Sequence, residues 1–189
     1  MTKSIMLVGV GGQGTILASK LLTQGLMEAG YDVKMNEIHG MSQRGGAVSS
    51  HIRFGDNVAS PVIEKGGADI LVSFELMEAL RWLGYLKVGG KIVVNNYQMN
   101  PMPVVMGKCS YPEGILEELQ QKAPTSAFNA MAEAQKLGNP KVMNVILLGT
   151  IIKLMNLEDI NWKKIMEENV KSAFMELNLK ALEIGKALV

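Results

Sequence analysis

The feature that most constrains this chain is its opening, a six-residue apolar run from Ile5 to Val10 that leads straight into the glycines of "GVGGQGT". A short unbroken apolar run bounded by glycine reads as a strand buried on both faces. Behind the glycines, Ile16, Leu17, Leu21, Leu22 and Met27 recur at helical spacing until Gly30. That spacing predicts a helix over 13–29. "YDVKMNEI" then reads as a second strand. Strand, glycine turn, helix and strand in that order open an α/β fold with a parallel sheet.

The rest of the chain extends this pattern with one interruption. In "AVSSHIRFG", Val48, Ser50, Ile52 and Phe54 alternate with Ser49, His51 and Arg53, which predicts a strand with one wet face. Gly55-Asp56-Asn57 offers a turn into "VASPVI", where Pro61 points to an edge strand. An antiparallel hairpin is therefore expected at this point. "ADILVSF" and "GKIVVNN" read as buried strands around the helix "ELMEALRWLGYL". "MPVVMGK" reads as another strand before a helix at 113–122.

The C-terminal third reads as helical. Pro124 stops one helix, and Thr125 or Ser126 is placed to cap the next, which ends at Gly138. Asn139-Pro140 supplies a cap and a first helical residue. The segment from 140 to about 155 is apolar nearly all round, so it belongs in a core. "NLKALEIGKAL" closes the chain as an amphipathic helix. The expected fold is α/β: a single Rossmann-like domain over residues 1–189, with a mostly parallel sheet, an antiparallel hairpin and a helical C-terminal third.

Composition removes several classes of function. Lys plus Arg total 19 and Asp plus Glu 18, a net charge of +1 with no basic cluster, so nucleic acid is not an expected partner. Aromatic residues at 5% are too few for a base-stacking platform. The longest apolar stretch, "VMNVILLGTII", is broken by Asn144 and stopped by Lys153, short of the roughly 18 residues of a membrane span. The N-terminal apolar run lacks the length and cleavage site of a secretion signal, so the chain is expected in the cytoplasm. One cysteine, Cys109, rules out an internal disulfide or a four-cysteine iron–sulfur cluster held by this chain.

Gly9, Gly11 and Gly14 satisfy G-x-G-x-x-G between a strand and a helix. Without side chains the backbone can approach a diphosphate, and the helix N-terminus adds N–H groups and a positive dipole end. The same glycines also suit a tight turn with no ligand. A nicotinamide cofactor would need an acid about 20 residues on, and Glu37 is placed for it. The next helix of a nicotinamide-binding half does not fit between Glu37 and Ala47, which disfavours that use. "HGMSQRGG" fills the gap instead, and Arg44 among glycines suits a phosphate or carboxylate.

Other constellations are weak. His39, His51 and Cys109 are too few and poorly spaced for zinc. Ser49 and Ser50 lack a nucleophile elbow. Glu75 and Glu78 sit where dipole compensation at a helix start explains them.

"GVGGQGT", "HGMSQRGGAVSSHIRFG" and "NPKVMNVILLGTI", in that order, resemble the gamma-type domain of the 2-oxoacid:ferredoxin oxidoreductases, and within it the indolepyruvate type. The resemblance runs over essentially the whole chain. It implies a subunit, inactive alone, of an enzyme that oxidatively decarboxylates a 2-oxoacid, joins the acyl group to coenzyme A and passes electrons to ferredoxin. It implies arylpyruvate substrates and a larger partner subunit carrying thiamine diphosphate and iron–sulfur clusters, with no cofactor held by this chain alone. A gamma subunit of a pyruvate or 2-oxoglutarate enzyme, or a free-standing nucleotide-binding module, is the alternative. The implied site is Gly11, Gly12, Gln13 and Gly14 with Ser42, Gln43 and Arg44, contacting coenzyme A. Docking of "MSQRGG" onto the thiamine-bearing subunit is the competing use of that loop.

Overall fold

A computed structural model describes residues 1–40 and 45–189. Six strands form one sheet in the order β2-β3-β1-β4-β5-β6: β1 (Lys3–Val10), β2 (Asp32–His39), β3 (Ala47–Gly55), β4 (Ala68–Ser73), β5 (Leu86–Asn95) and β6 (Thr125–Phe128). β1, β4, β5 and β6 pair in parallel. β3 is antiparallel to both β1 and β2, so β2 runs in the same sense as β1 with β3 between them. Ser4–Val10 is buried along its whole length, as the unbroken apolar run requires.

Helices cover both faces. α1 (Thr15–Glu28), α5 (Ala130–Lys136), α6 (Met143–Leu154), α7 (Trp162–Asn169) and α8 (Met175–Ala187) pack on the face carrying Ile5, Leu7, Ile52, Val72 and Val93. α2 (Leu76–Trp82) and α4 (Ile115–Lys122) cover the face carrying Met6, Val8, Ile92 and Val94. α6 is the centre of the larger layer: Met143 to Ile152 are all buried. Asn139 caps the 3-10 turn Pro140–Val142 that leads into it, its side chain accepting from Lys141 N–H. Among the described residues no helix is long and apolar enough to cross a membrane.

Four local expectations fail, each for a physical reason. The antiparallel interruption is present, but it is made by β3 against β1 and β2. Residues 58–63 form no strand, because side chains of β3 occupy their backbone groups. Ile63 N–H donates to His51 Nδ1 at 3.1 Å, and Arg53 Nη1 donates to the carbonyls of Ser60 and Val62 at 3.1 and 3.3 Å. The face expected to be wet is closed, with Ser49 and His51 2% and 3% exposed and His51 held under this loop. Trp82 and Tyr85 stand edge-on to the imidazole, with centroids 6.4 and 6.1 Å away.

The expected strand at 102–108 is instead the short helix α3 (Met102–Val105); Pro103 lacks the N–H a ladder needs but suits a first helical turn. Thr125 and Ser126 do not cap a helix. They pair with Ile92 and Val93 as part of β6, and Asn129 caps α5 by accepting from Ala132 N–H at 2.8 Å.

Candidate functional site

β1 and β4 are parallel neighbours whose following helices, α1 and α2, lie on opposite faces of the sheet. Ligands of open α/β sheets bind outside the carboxyl ends of the strands at such a switch point. A cleft of about 330 Å³ opens beside this point, over the ends of β1 and β2 and the start of β3, lined by Gly11, Gly12, Gly14, Thr15, Ile16, His39 and Val48. That volume lies at the lower end of the ~300–1,000 Å³ typical of small-molecule sites.

The sheet register explains why residues far apart in sequence meet at this edge. Val10 pairs with Ala47, and Val48 pairs with His39. The ends of β1 and β2 and the start of β3 therefore lie side by side. Two backbone bonds join the loops: Gly11 N–H donates to the Gly46 carbonyl at 2.8 Å, and Gly45 N–H donates to the Gly11 carbonyl at 3.2 Å. Gly45 and Gly46, which precede β3, are thus bonded to the glycine turn. Ser42, Gln43 and Arg44 lie outside the described residues.

Within the turn the four expected residues divide. The N–H of Gly11 and that of Gln13, which donates to the Val10 carbonyl at 3.2 Å, are used inside the protein. The Gln13 side chain also points inward: its Oε1 accepts from Val10 N–H at 2.8 Å and its Nε2 donates to the Phe74 carbonyl at 3.1 Å. Gly12 and Gly14, at φ 102° and 84°, occupy a left-handed region in which glycine is favoured. Their N–H groups have no acceptor among the described residues. Gly14 is also the N-cap of α1, which has no side-chain cap and no acid in its first turn. Gly12, Gly14 and the start of α1, where helix N–H groups and the positive dipole end gather, therefore line the cleft.

Behind the turn lies a set of buried amides that sequence reasoning did not assign. Asn95 donates to the same Phe74 carbonyl at 3.0 Å and accepts from Ala130 N–H at 2.9 Å. Asn144, 4% exposed at the start of α6, donates to the Gly14 carbonyl at 3.2 Å. The available signal was a polar residue interrupting an apolar run, as in "VMNVILLG", since buried amides require partners. His39 and Ile16 were visible in sequence, but not as cleft residues.

The acids do not serve the cleft. Glu37 accepts from Ser19 Oγ at 2.6 Å, which ties β2 to α1, and the next described element is antiparallel β3. Glu75, fully buried, accepts from Glu78 N–H, Met99 N–H and Tyr111 OH at 2.9, 3.1 and 2.5 Å. It is thus an anchor for the segment after β5 as well as a helix cap. Burial, together with the bond to Glu75, pushes the Tyr111 phenol well above its usual range, so it stays a donor. Burial raises the Glu78 carboxyl despite the adjacent Arg81. Among the described residues, no three His, Cys, Asp or Glu side chains are grouped to hold a metal.

Comparison with known proteins agrees with this layout. The family model for pyruvate ferredoxin/flavodoxin oxidoreductase matches residues 4–188. The indolepyruvate oxidoreductase subunit IorB of Pyrococcus horikoshii is 37% identical, with 96% of this chain and 93% of that protein covered. The subunit of the same name from Thermococcus kodakarensis is 36% identical over the same shares. Among solved structures, the gamma subunit of a keto/oxoacid ferredoxin oxidoreductase from Geobacter sulfurreducens superposes with a TM-score of 0.72 at 25% identity, covering 98% of this chain and 97% of that one.

Proposed function

This chain belongs to the pyruvate ferredoxin/flavodoxin oxidoreductase family, and on that premise we propose that it is the small subunit of an arylpyruvate oxidoreductase of the indolepyruvate type. The observation that carries this reading is the match along nearly the whole chain to subunits of that name. The assembled enzyme oxidatively decarboxylates an arylpyruvate, transfers the acyl group to the coenzyme A thiol and releases carbon dioxide, with ferredoxin taking the electrons. Thiamine diphosphate and iron–sulfur clusters, which supply the cleavage and electron chemistry when bound, reside on a larger partner subunit. This chain's one cysteine, the exposed Cys109, is too few for a four-cysteine cluster. The chain works in the cytoplasm, and residues 1–189 act as one unit.

Its own contribution is to hold coenzyme A. Gly12 and Gly14 present backbone donors, and the uncapped start of α1 adds its positive end, both directed at the diphosphate. Ser42, Gln43 and Arg44 lie in sequence between His39, which lines the cleft, and Gly45, which bonds to Gly11; they complete the ligand set, with Arg44 supplying the cation. Replacing Arg44 with alanine in the assembled enzyme is expected to raise the apparent KM for coenzyme A while the KM for the 2-oxoacid stays unchanged. An unchanged coenzyme A requirement with loss of the complex would show that the loop docks the partner instead.

A further inference from the structure

Glycine turns are soft. Gly12 and Gly14 could leave their left-handed conformations at little cost, and the bare N–H groups would then turn away from the cleft. We infer that Gln13 and Asn144 are positioning residues, holding the Gly12–Gly14 turn so that its donors face the anionic part of coenzyme A. This rests on the coenzyme A reading of the cleft and extends it to side chains that do not touch the ligand.

Three observations carry the inference. Gln13, the sole side chain between Gly11 and Gly14, turns away from the cleft and spends its amide on two backbone partners. Its Oε1 takes Val10 N–H on β1, and its Nε2 reaches the Phe74 carbonyl just beyond β4. One side chain thereby fixes the near end of the turn to the two strands that define the switch point. Asn144 fixes the far end, donating from α6 to the Gly14 carbonyl across 130 residues of sequence. The fit at that end is close, because a Cβ on residue 14 would lie 2.7 Å from Asn144 Nδ2.

The third observation is what the clamp leaves open. Helix starts commonly carry Ser, Thr, Asp or Asn as a cap, yet α1 has glycine there and no side-chain cap. A helix start with left-handed turn residues held from behind by two amides, and no side-chain cap in front among the described residues, is suited to an external anion. Asn95 braces the Phe74 carbonyl from the other side, so both ends of the clamp rest on buried groups.

The test uses the assembled enzyme and steady-state kinetics with coenzyme A and the 2-oxoacid varied separately. Gln13→Glu keeps the acceptor for Val10 N–H and loses the donation to Phe74; Asn144→Ala loses the donation to Gly14. Each is expected to raise the KM for coenzyme A on the order of tenfold, the scale of one lost hydrogen bond, with kcat and the 2-oxoacid KM within about twofold. Lower melting temperatures with an unmoved coenzyme A KM would overturn the inference, because a purely structural role predicts that pattern. If Asn144→Ala fails to assemble, Gln13→Met, of similar length without the amide, gives the same readout. Gly12→Asp, read against Gly12→Asn, separates the two levels of the argument: either side chain enters open space and strains the positive φ alike, and only the aspartate adds a charge that repels an anion. If Gly12→Asp raises the coenzyme A KM and the amide variants do not, the inference fails alone. If none of the variants moves it, the coenzyme A reading of the cleft fails too.

Discussion

Replacing Gly185 with alanine sets two physical effects of opposite sign against each other. Gly185 lies in α8 where that helix crosses α6. A Cβ added there would lie 1.9 Å from the Ile146 carbonyl oxygen, and one on Gly149 of α6 would lie 2.3 Å from the Leu182 carbonyl oxygen. Both obstacles are backbone, so no side chain can swing away. Restoring a carbon–oxygen contact of about 3.3 Å requires the helices to part by roughly 1.4 Å. A gap of even ~0.5–1 Å forfeits a quarter to a half of each dispersion contact it opens. Overpacking of this kind costs about 3 kcal/mol, and the higher helix propensity of alanine returns about 1 kcal/mol. The net loss is about 2 kcal/mol, or roughly 6 °C in melting temperature for a chain of this size.

Urea denaturation midpoints at constant slope measure the change directly. Gly84→Ala is the control, since Gly84 meets nothing within 4 Å and lacks a positive φ; it is expected to be neutral or slightly stabilising. If Gly185→Ala is also neutral, or gains the ~1 kcal/mol of propensity, the close-packed crossing is refuted. The crossing matters for the cleft because α6 carries Asn144 to Gly14. Gly185→Ala should therefore also weaken coenzyme A binding in the assembled enzyme.

The remaining predictions concern the two buried polar centres on the other face of the sheet. Burial holds His51 below its ordinary pKa, so the unfolded chain binds the proton more readily. Its stabilising contribution is complete above about pH 6.5 and is lost as the pH falls through the folded pKa, at no more than ~1.4 kcal/mol per pH unit. Urea midpoints between pH 5 and 8 should show this fall, and His51→Gln should flatten it; equal slopes would assign the pH dependence to other groups. Tyr111→Phe removes a donor to Glu75 and an acceptor for Met77 N–H and is expected to cost about 1.5 kcal/mol. Retention of full stability would show that the Glu75 carboxylate does not need the phenol.

How much was legible in the sequence depended on how local the cause was. The apolar run before "GGQG", the helix behind it and the Asn139-Pro140 start of the core helix rest on short-range patterning, and all three are present. The lack of room for a helix after Glu37 was a matter of counting residues, and β3 is the next described element after β2. The polar row Ser49, His51 and Arg53 had the alternation of a wet face, but His51 and Arg53 bond backbone groups of Ser60, Val62 and Ile63, which no periodicity announces. Four residues of β6 are too few to show a period, so Thr125 looked like a helix cap. Gln13 was legible as a site residue, though not that its amide faces inward. Asn144 was visible as an interruption, while its partner Gly14 lies too far along the chain to be inferred.

The most direct test of the central claim is an anaerobic native purification of this chain from its source cells, followed by assay of the recovered material for coenzyme A-dependent oxidation of arylpyruvates. The expected result is a complex with a larger, brown, thiamine diphosphate-containing subunit that reduces ferredoxin with indolepyruvate or phenylpyruvate. A colourless chain recovered alone under the same conditions, binding a nucleotide in the glycine cleft, would contradict the account and identify an independent nucleotide-binding module.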